Sequence, residues 1–152
     1  MKIKSTQIKK SVVSIWFQNF STDRILRSIN RKKRLNKNTS NLNNNYLVTV
    51  ENKIESPKII AVTQQAQKKG IRPGMTVSSA KAITKGVKVI QSDLEKDREA
   101  LISLAKWCLN YTPLVSIDYN SCQFFSGDAN LWLDVTGVTH LFGSKKRMLI
   151  HL

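Results

Sequence analysis

Residues 130–137, NLWLDVTG, alternate apolar and polar side chains and then run into a Thr-Gly turn. A period of two places Leu131, Leu133 and Val135 on one face and Asn130, Trp132 and Asp134 on the other, the pattern of a strand with one buried side. Asp134 then stands near the strand end, where its carboxylate is expected to accept backbone hydrogen bonds from the turn at Thr136-Gly137. LVSID (114–118) reads as the antiparallel partner, with the segment containing Gly127 as the hairpin connection.

Upstream, SVVSIWF (11–17) is a short β-rich apolar run, expected as a buried strand. STDRILRSINRKKR follows as a helix, with Ser21 or Thr22 as N-cap and Ile25, Leu26 and Ile29 at helical spacing. It closes on Arg31-Lys32-Lys33-Arg34, and the Asn-rich residues 35–45 read as a surface loop. YLVTVEN (46–52) and KIIAVTQ (58–64) form a strand pair around Pro57. Gly70 suits a helix C′ position, and Pro73-Gly74 the central pair of a type II turn. A short helix over TVSSAKAIT and a strand at 87–90 lead into the clearest helix, 92–111. There Ser92 and Glu95 are expected to form a capping box, with Leu94, Leu101, Leu104, Ala105 and Cys108 on one face and Pro113 beyond its end. HLFGSKKRMLIHL begins a last helix that reaches Leu152 uncapped, as a piece of something longer would. The order β-α-ββ-α-α-β-α-β-β-α is not regular βα alternation, so α+β is expected.

The 152 residues suit one domain with a real core. Their charge, +15, is unevenly spread: residues 1–90 carry nineteen Lys/Arg against three Asp/Glu, residues 91–139 three against seven. A basic half is the electrostatic footprint of a chain that meets phosphate backbone. Cys108 and Cys122 lack metal-site spacing and read as free buried thiols of a reducing compartment. The apolar run 12–17 is too short for a signal segment, and no stretch has the length of a membrane span, so a cytoplasmic protein is expected.

Several chemistries find no support. GIRPGM and GVTHLFGSKK lack phosphate-loop spacing, His140 and His151 stand alone, and Ser14, Ser116 and Ser126 have no nucleophile-elbow flanks. Metal-dependent phosphoryl transfer needs two cations about 3.5–4 Å apart, held by two or three acids from neighbouring strands. Asp118 and Asp134 end proposed strands, but the first strand contains no acid.

In order, SIWFQNFSTDR, GIRPGM with AKAI, AKWCLNYTPLVSID and LWLDVTG…HLFG resemble the palm and fingers of Y-family translesion DNA polymerases. The similarity is closer to the ImuB subgroup, the polymerase-like proteins of bacterial mutagenesis cassettes, and covers residues 11–152. It implies a ferredoxin-like, mixed-sheet palm from residues 11–20 and 86–152, incomplete at its C-terminal side. A small fingers-like insertion would span 21–85, after a basic extension over 1–10. Because active members continue past this point, the sheet is expected to lack its last strand and to leave an edge open.

The resemblance also implies losses. Active members carry an acidic D-x-D strand where this chain has Ser14 and Trp16. The Tyr and Arg that grip the triphosphate fall on Gln64 and Gln67. The second acidic pair falls on Ala129-Asn130 or, in the other register, on Asp118-Tyr119, so Asp118 is the one possible surviving ligand. The expectation is a non-catalytic accessory of DNA repair and error-prone synthesis, with no cofactor. Its implied partners are DNA, an error-prone polymerase, a sliding clamp and a RecA-like protein. Arg24, Arg27, Arg31, Lys32, Lys33, Arg34, Lys68, Lys69 and Arg72 are the residues expected at phosphates. The rivals are a polymerase fragment with residual Mg²⁺-dependent activity through Asp118, and a poorly folded remnant.

Overall fold

The computed structural model describes residues 10–35, 46–52, 55–118 and 127–152, with the side chains of 32–35 outside the described set. Tyr119, Cys122, Ser126 and most of the Asn-rich loop therefore lie outside the described residues, as do Met1–Lys9.

The elements are β1 (Val12–Phe17), α1 (Phe20–Leu35), β2 (Leu47–Val50), β3 (Ile59–Val62), α2 (Gln64–Lys68), α3 (Val77–Ile83), β4 (Lys88–Gln91), α4 (Leu94–Cys108), β5 (Val115–Ile117), β6 (Ala129–Asp134), a 3₁₀ turn (Thr139–Phe142) and α5 (Lys145–His151). They build an α+β fold on two three-stranded sheets, ordered β1-β6-β5 and β3-β2-β4. The first is antiparallel throughout. The second is mixed, with β2 antiparallel to β3 and parallel to β4.

β6 is the centre of the first sheet, and its alternation is the one read from the sequence. Ala129, Leu131 and Leu133 are buried, as is Val135 just beyond the strand. They meet Leu101, Ala105 and Cys108 of α4, Phe20 of α1 and Met148 of α5. The hairpin register Val115↔Leu133 and Ile117↔Leu131 puts the apolar residues of β5 on the same inner side. In the second sheet every residue of β2 is buried. Val48 and Val50 join the core with Ile59, Val62, Ile71 and Ala80, while Thr49 approaches Ser21 of α1, oxygen to oxygen, at 3.4 Å.

Four local expectations are corrected. β1 is a sheet edge, and its outward residues Val12, Ser14 and Trp16 are exposed. The apolar character of Val12 and Trp16 had suggested burial, because composition alone does not tell which side of a strand is covered. α1 begins at Phe20, so Ser21 and Thr22 lie inside its first turn. The residue before the helix, Asn19, has φ +56 and offers its carbonyl to the amides of Thr22 and Asp23. At α4 the cap is Asp93, whose carboxylate accepts from the Lys96 amide at 3.1 Å and pairs with the Lys96 ammonium. Ser92 is drawn away because its amide extends the sheet toward the Val50 carbonyl. Leu94, placed on the buried face by spacing, is exposed.

Candidate functional site on the open sheet face

The inner side of the β1-β6-β5 sheet is core, so the sheet's outer side is the one open to chemistry. The register pairs Val12 with Asp134, Ser14 with Trp132 and Trp16 with Asn130. On the other flank Ser116 faces Trp132, and the Asp118 amide donates to the Asn130 carbonyl at 3.3 Å. Around Trp132 the face thus presents a serine and a tryptophan from β1 and an asparagine from β6, with the carboxylates of Asp118, Asp128 and Asp134 spread along its borders. Ala129 is buried opposite Phe17, so it presents nothing to this face.

Two divalent cations demand several anionic oxygens in one place. Here the matching positions offer a hydroxyl, an indole, a methyl, an amide and a single carboxylate, and these do not fit a metal pair. Among the described residues no three of Asp, Glu, His or Cys converge on one point. Asp134, at the far end of the face, is engaged by the turn that follows it, since the Thr136 amide donates to its carboxylate at 2.9 Å. The Thr136 hydroxyl and then its amide hold that carboxyl below its ordinary range.

One acid that sequence reasoning passed over ties the site together. Asp128 accepts from the Asn19 amide at 2.8 Å and from the Trp16 indole N–H at 3.2 Å. Asn19 in turn accepts from the Val62 amide at 3.0 Å through its side-chain oxygen. The junction of β1 and α1 is thereby pinned to the start of β6 and to β3. The signal in the sequence was a Gly-Asp pair just before the strand, but its partners lie more than a hundred residues away.

Beside this junction runs a cleft of about 560 Å³. Phe20, Ile60, Leu94 and Ala129 give it an apolar floor, and Glu51, Asp93, Asp97 and Asp128 edge it with carboxylates. The cations facing them are Arg24, Lys96 and Arg98, of which Arg24 is bound to Asp97 at 2.5 Å and Lys96 to Asp93. Gln64 and Gln67 lie on α2, the former exposed, and supply amides without charge.

The proposed phosphate contacts divide in two. Arg27 and Arg31 are exposed along α1, and Lys68 and Lys69 are exposed at the end of α2. Arg24 is engaged with Asp97. Arg72 turns its guanidinium onto the Gln67 and Ile71 carbonyls at 2.6 and 3.3 Å. Lys32, Lys33 and Arg34 continue α1, but their side chains lie outside the described set.

The Arg24–Asp97 pair makes a testable pH signature. Burial pushes the Asp97 carboxyl up, and the Arg24 hydrogen bond and charge oppose it. A carboxyl whose folded value is raised favours folding when protonated, and that contribution is lost as pH rises through the folded value. Arg24→Gln removes the opposing cation, so the variant should be less stable by about 2 kcal/mol near neutral pH. The deficit should close as pH falls below the carboxylate range. Urea unfolding of both proteins at about pH 7 and about pH 3 measures it; a deficit independent of pH contradicts the pairing.

The sequence model of the impB/mucB/samB family matches residues 23–152. Protein ImuB of Caulobacter vibrioides, in each of two strains, is 36% identical over 83 residues, 55% of this chain and 16% of the relative. The chain thus spans about a sixth of the length of these relatives. Among solved structures, DinB from Sulfolobus solfataricus matches with TM-score 0.64 at 13% identity, over 93% of this chain and 36% of that one. Dbh DNA polymerase in an insertion ternary complex matches with TM-score 0.61 at 13% identity, over 93% and 38%. A Y-family DNA polymerase chimera matches with TM-score 0.56 at 18% identity, over 93% and 36%. The order of motifs read from the sequence therefore finds its fold, and the chain belongs to the impB/mucB/samB family.

Proposed function

We propose that this chain is a polymerase-like accessory module of DNA repair that contacts the phosphate backbone of DNA without transferring nucleotides. One observation carries the reading: where the two palm strands meet, the open face displays Ser14, Trp16 and Asn130, and the acids at its borders are Asp118, Asp128, which is held by Trp16 and Asn19, and Asp134, which is held by Thr136. A hydroxyl or an amide cannot take over a carboxylate's charge against paired divalent ions. The net charge of +15, with exposed Arg27, Arg31, Lys68 and Lys69, supports backbone contact by point charges rather than base reading. No cofactor belongs to this reading. By similarity to ImuB, the context is error-prone synthesis past damage. An error-prone polymerase, a sliding clamp and a RecA-like protein are the proposed associates.

The test has two arms on one primer–template. The protein should retard it in a gel shift, and should add no nucleotide to it with Mg²⁺ or Mn²⁺ present. Asp118→Asn should behave identically in both arms. Primer extension that disappears in Asp118→Asn would overturn the reading in favour of a residual nucleotidyl transferase.

A further inference from the structure

The outer face of the first sheet is not merely short of acids. It carries two of the chain's three tryptophans side by side. Ser14 lies opposite Trp132 and Trp16 opposite Asn130, so Trp16 and Trp132 are diagonal neighbours on one face, about 7–8 Å apart. Trp16 is 61% exposed and Trp132 44%. Trp132 is flanked across the sheet by Ser14 and Ser116, whose side chains are too short to cover an indole. Trp16 is held in place although exposed, because its indole N–H is bound by Asp128, itself fixed by the Asn19 amide. An aromatic ring whose orientation is already set loses little freedom when something stacks on it.

We infer that Trp16 and Trp132 form a stacking platform for the unpaired bases of single-stranded DNA. This rests on the proposed contact with DNA and adds the kind of DNA. Every base offers a π-face, so such stacking tolerates any sequence and excludes only bases already paired in a duplex. The charges around the platform decide how a strand would lie. Lys10 acts on Asp134, and the Lys145 ammonium reaches the Ser11 hydroxyl at 3.5 Å, so two cations stand with the one carboxylate of Asp134 at the Val12 end of β1. At the other end stand Asp118 and Asp128. A strand with phosphates toward Lys10 and Lys145 and bases over the indoles meets the complementary sign. An apolar protein partner would have no use for that polarity.

Trp107 lies on α4 against Tyr111, ring centroids 5.1 Å apart, and not on this face, so its emission is removed first. In a Trp107→Phe background, oligo(dT) should quench the remaining indole emission, while a duplex of equal length quenches little. Trp16→Thr and Trp132→Thr keep strand propensity at exposed positions. Followed by anisotropy of a labelled oligonucleotide, each should weaken oligo(dT) binding about tenfold and the pair about a hundredfold. Duplex affinity and the circular dichroism spectrum should be unchanged. If both DNAs bind and the double variant still holds oligo(dT) as well as the parent, the platform is wrong and the backbone contact stands. If neither DNA binds the parent, the backbone contact itself fails and takes the platform with it.

Discussion

Gly127→Ala is expected to destabilise the fold by about 2–5 kcal/mol, a large effect for one added methyl. Gly127 has φ +63, and a Cβ built there would lie 2.4 Å from the Ala61 Cβ and 3.3 Å from both the Ala61 Cα and the Ser21 Oγ. Ala61 is a buried residue of β3 and Ser21 a buried residue of α1, so neither is a flexible tip that can swing aside. Two costs therefore add. The left-handed backbone costs an L-residue about 1–2 kcal/mol, and overpacking against a filled core typically costs about 1–3 kcal/mol. Gly137→Ala separates them, since Gly137 has φ +77 but nothing within 4 Å of an added methyl. It should show the backbone cost alone. Urea denaturation of the three proteins gives the values. Ala61→Gly in the Gly127→Ala background should recover part of the loss, and additive single effects would contradict the contact. The substitution should also disturb the site, because Asp128 is the next residue and would be displaced from Asn19 and Trp16.

That sensitivity explains what the sequence made legible. NLWLDV announced its strand because alternation along a chain is a local property, and the buried trio Leu131, Leu133 and Val135 is where it was expected. The Pro73-Gly74 turn was equally local: the Met75 amide donates to the Arg72 carbonyl and Gly74 takes φ +86. The placement of β1 was not local. Val12 and Trp16 are as apolar as core residues, but among the described residues no third layer covers that face and both are exposed. The same holds for the site. A mismatch at Ser14 and Asn130 is an expectation drawn from similarity, whereas their position across one open face needed the register. The clamp by Asp128 needed it too, because a hydrogen bond spanning over a hundred residues leaves no pattern in the chain. α4 shows a competition decided by neighbours: Ser92 and Asp93 are both good caps, and β2 claimed the Ser92 amide first.

Replacing Arg31, Lys32, Lys33 and Arg34 together by glutamine should lower DNA affinity most at low salt and flatten its salt dependence. Each cation seated on a duplex phosphate adds about 0.9 to the slope of log affinity against log salt. Four seated cations would contribute a slope of about 3.6, which between about 50 and 200 mM salt amounts to roughly a hundredfold in affinity. Arg27 and Arg31 are exposed on α1, Lys32, Lys33 and Arg34 follow in the chain, and no acid lies between residues 24 and 50 to neutralise them. Glutamine keeps helix propensity close to that of Lys and Arg, so the helix should persist and the change should be one of charge. Two other basic residues serve as controls of the same sign. Arg24→Gln and Arg72→Gln each remove one positive charge, yet Arg24 is bound to Asp97 and Arg72 to the carbonyls of Gln67 and Ile71. If net charge alone governed binding, all substitutions would flatten the slope in proportion to the charge removed. If seated contacts govern it, the α1 cluster should dominate and the two engaged arginines should leave the slope nearly where it was. An unchanged slope in the fourfold variant would remove α1 from the DNA-contacting surface and leave Lys68 and Lys69 to carry it.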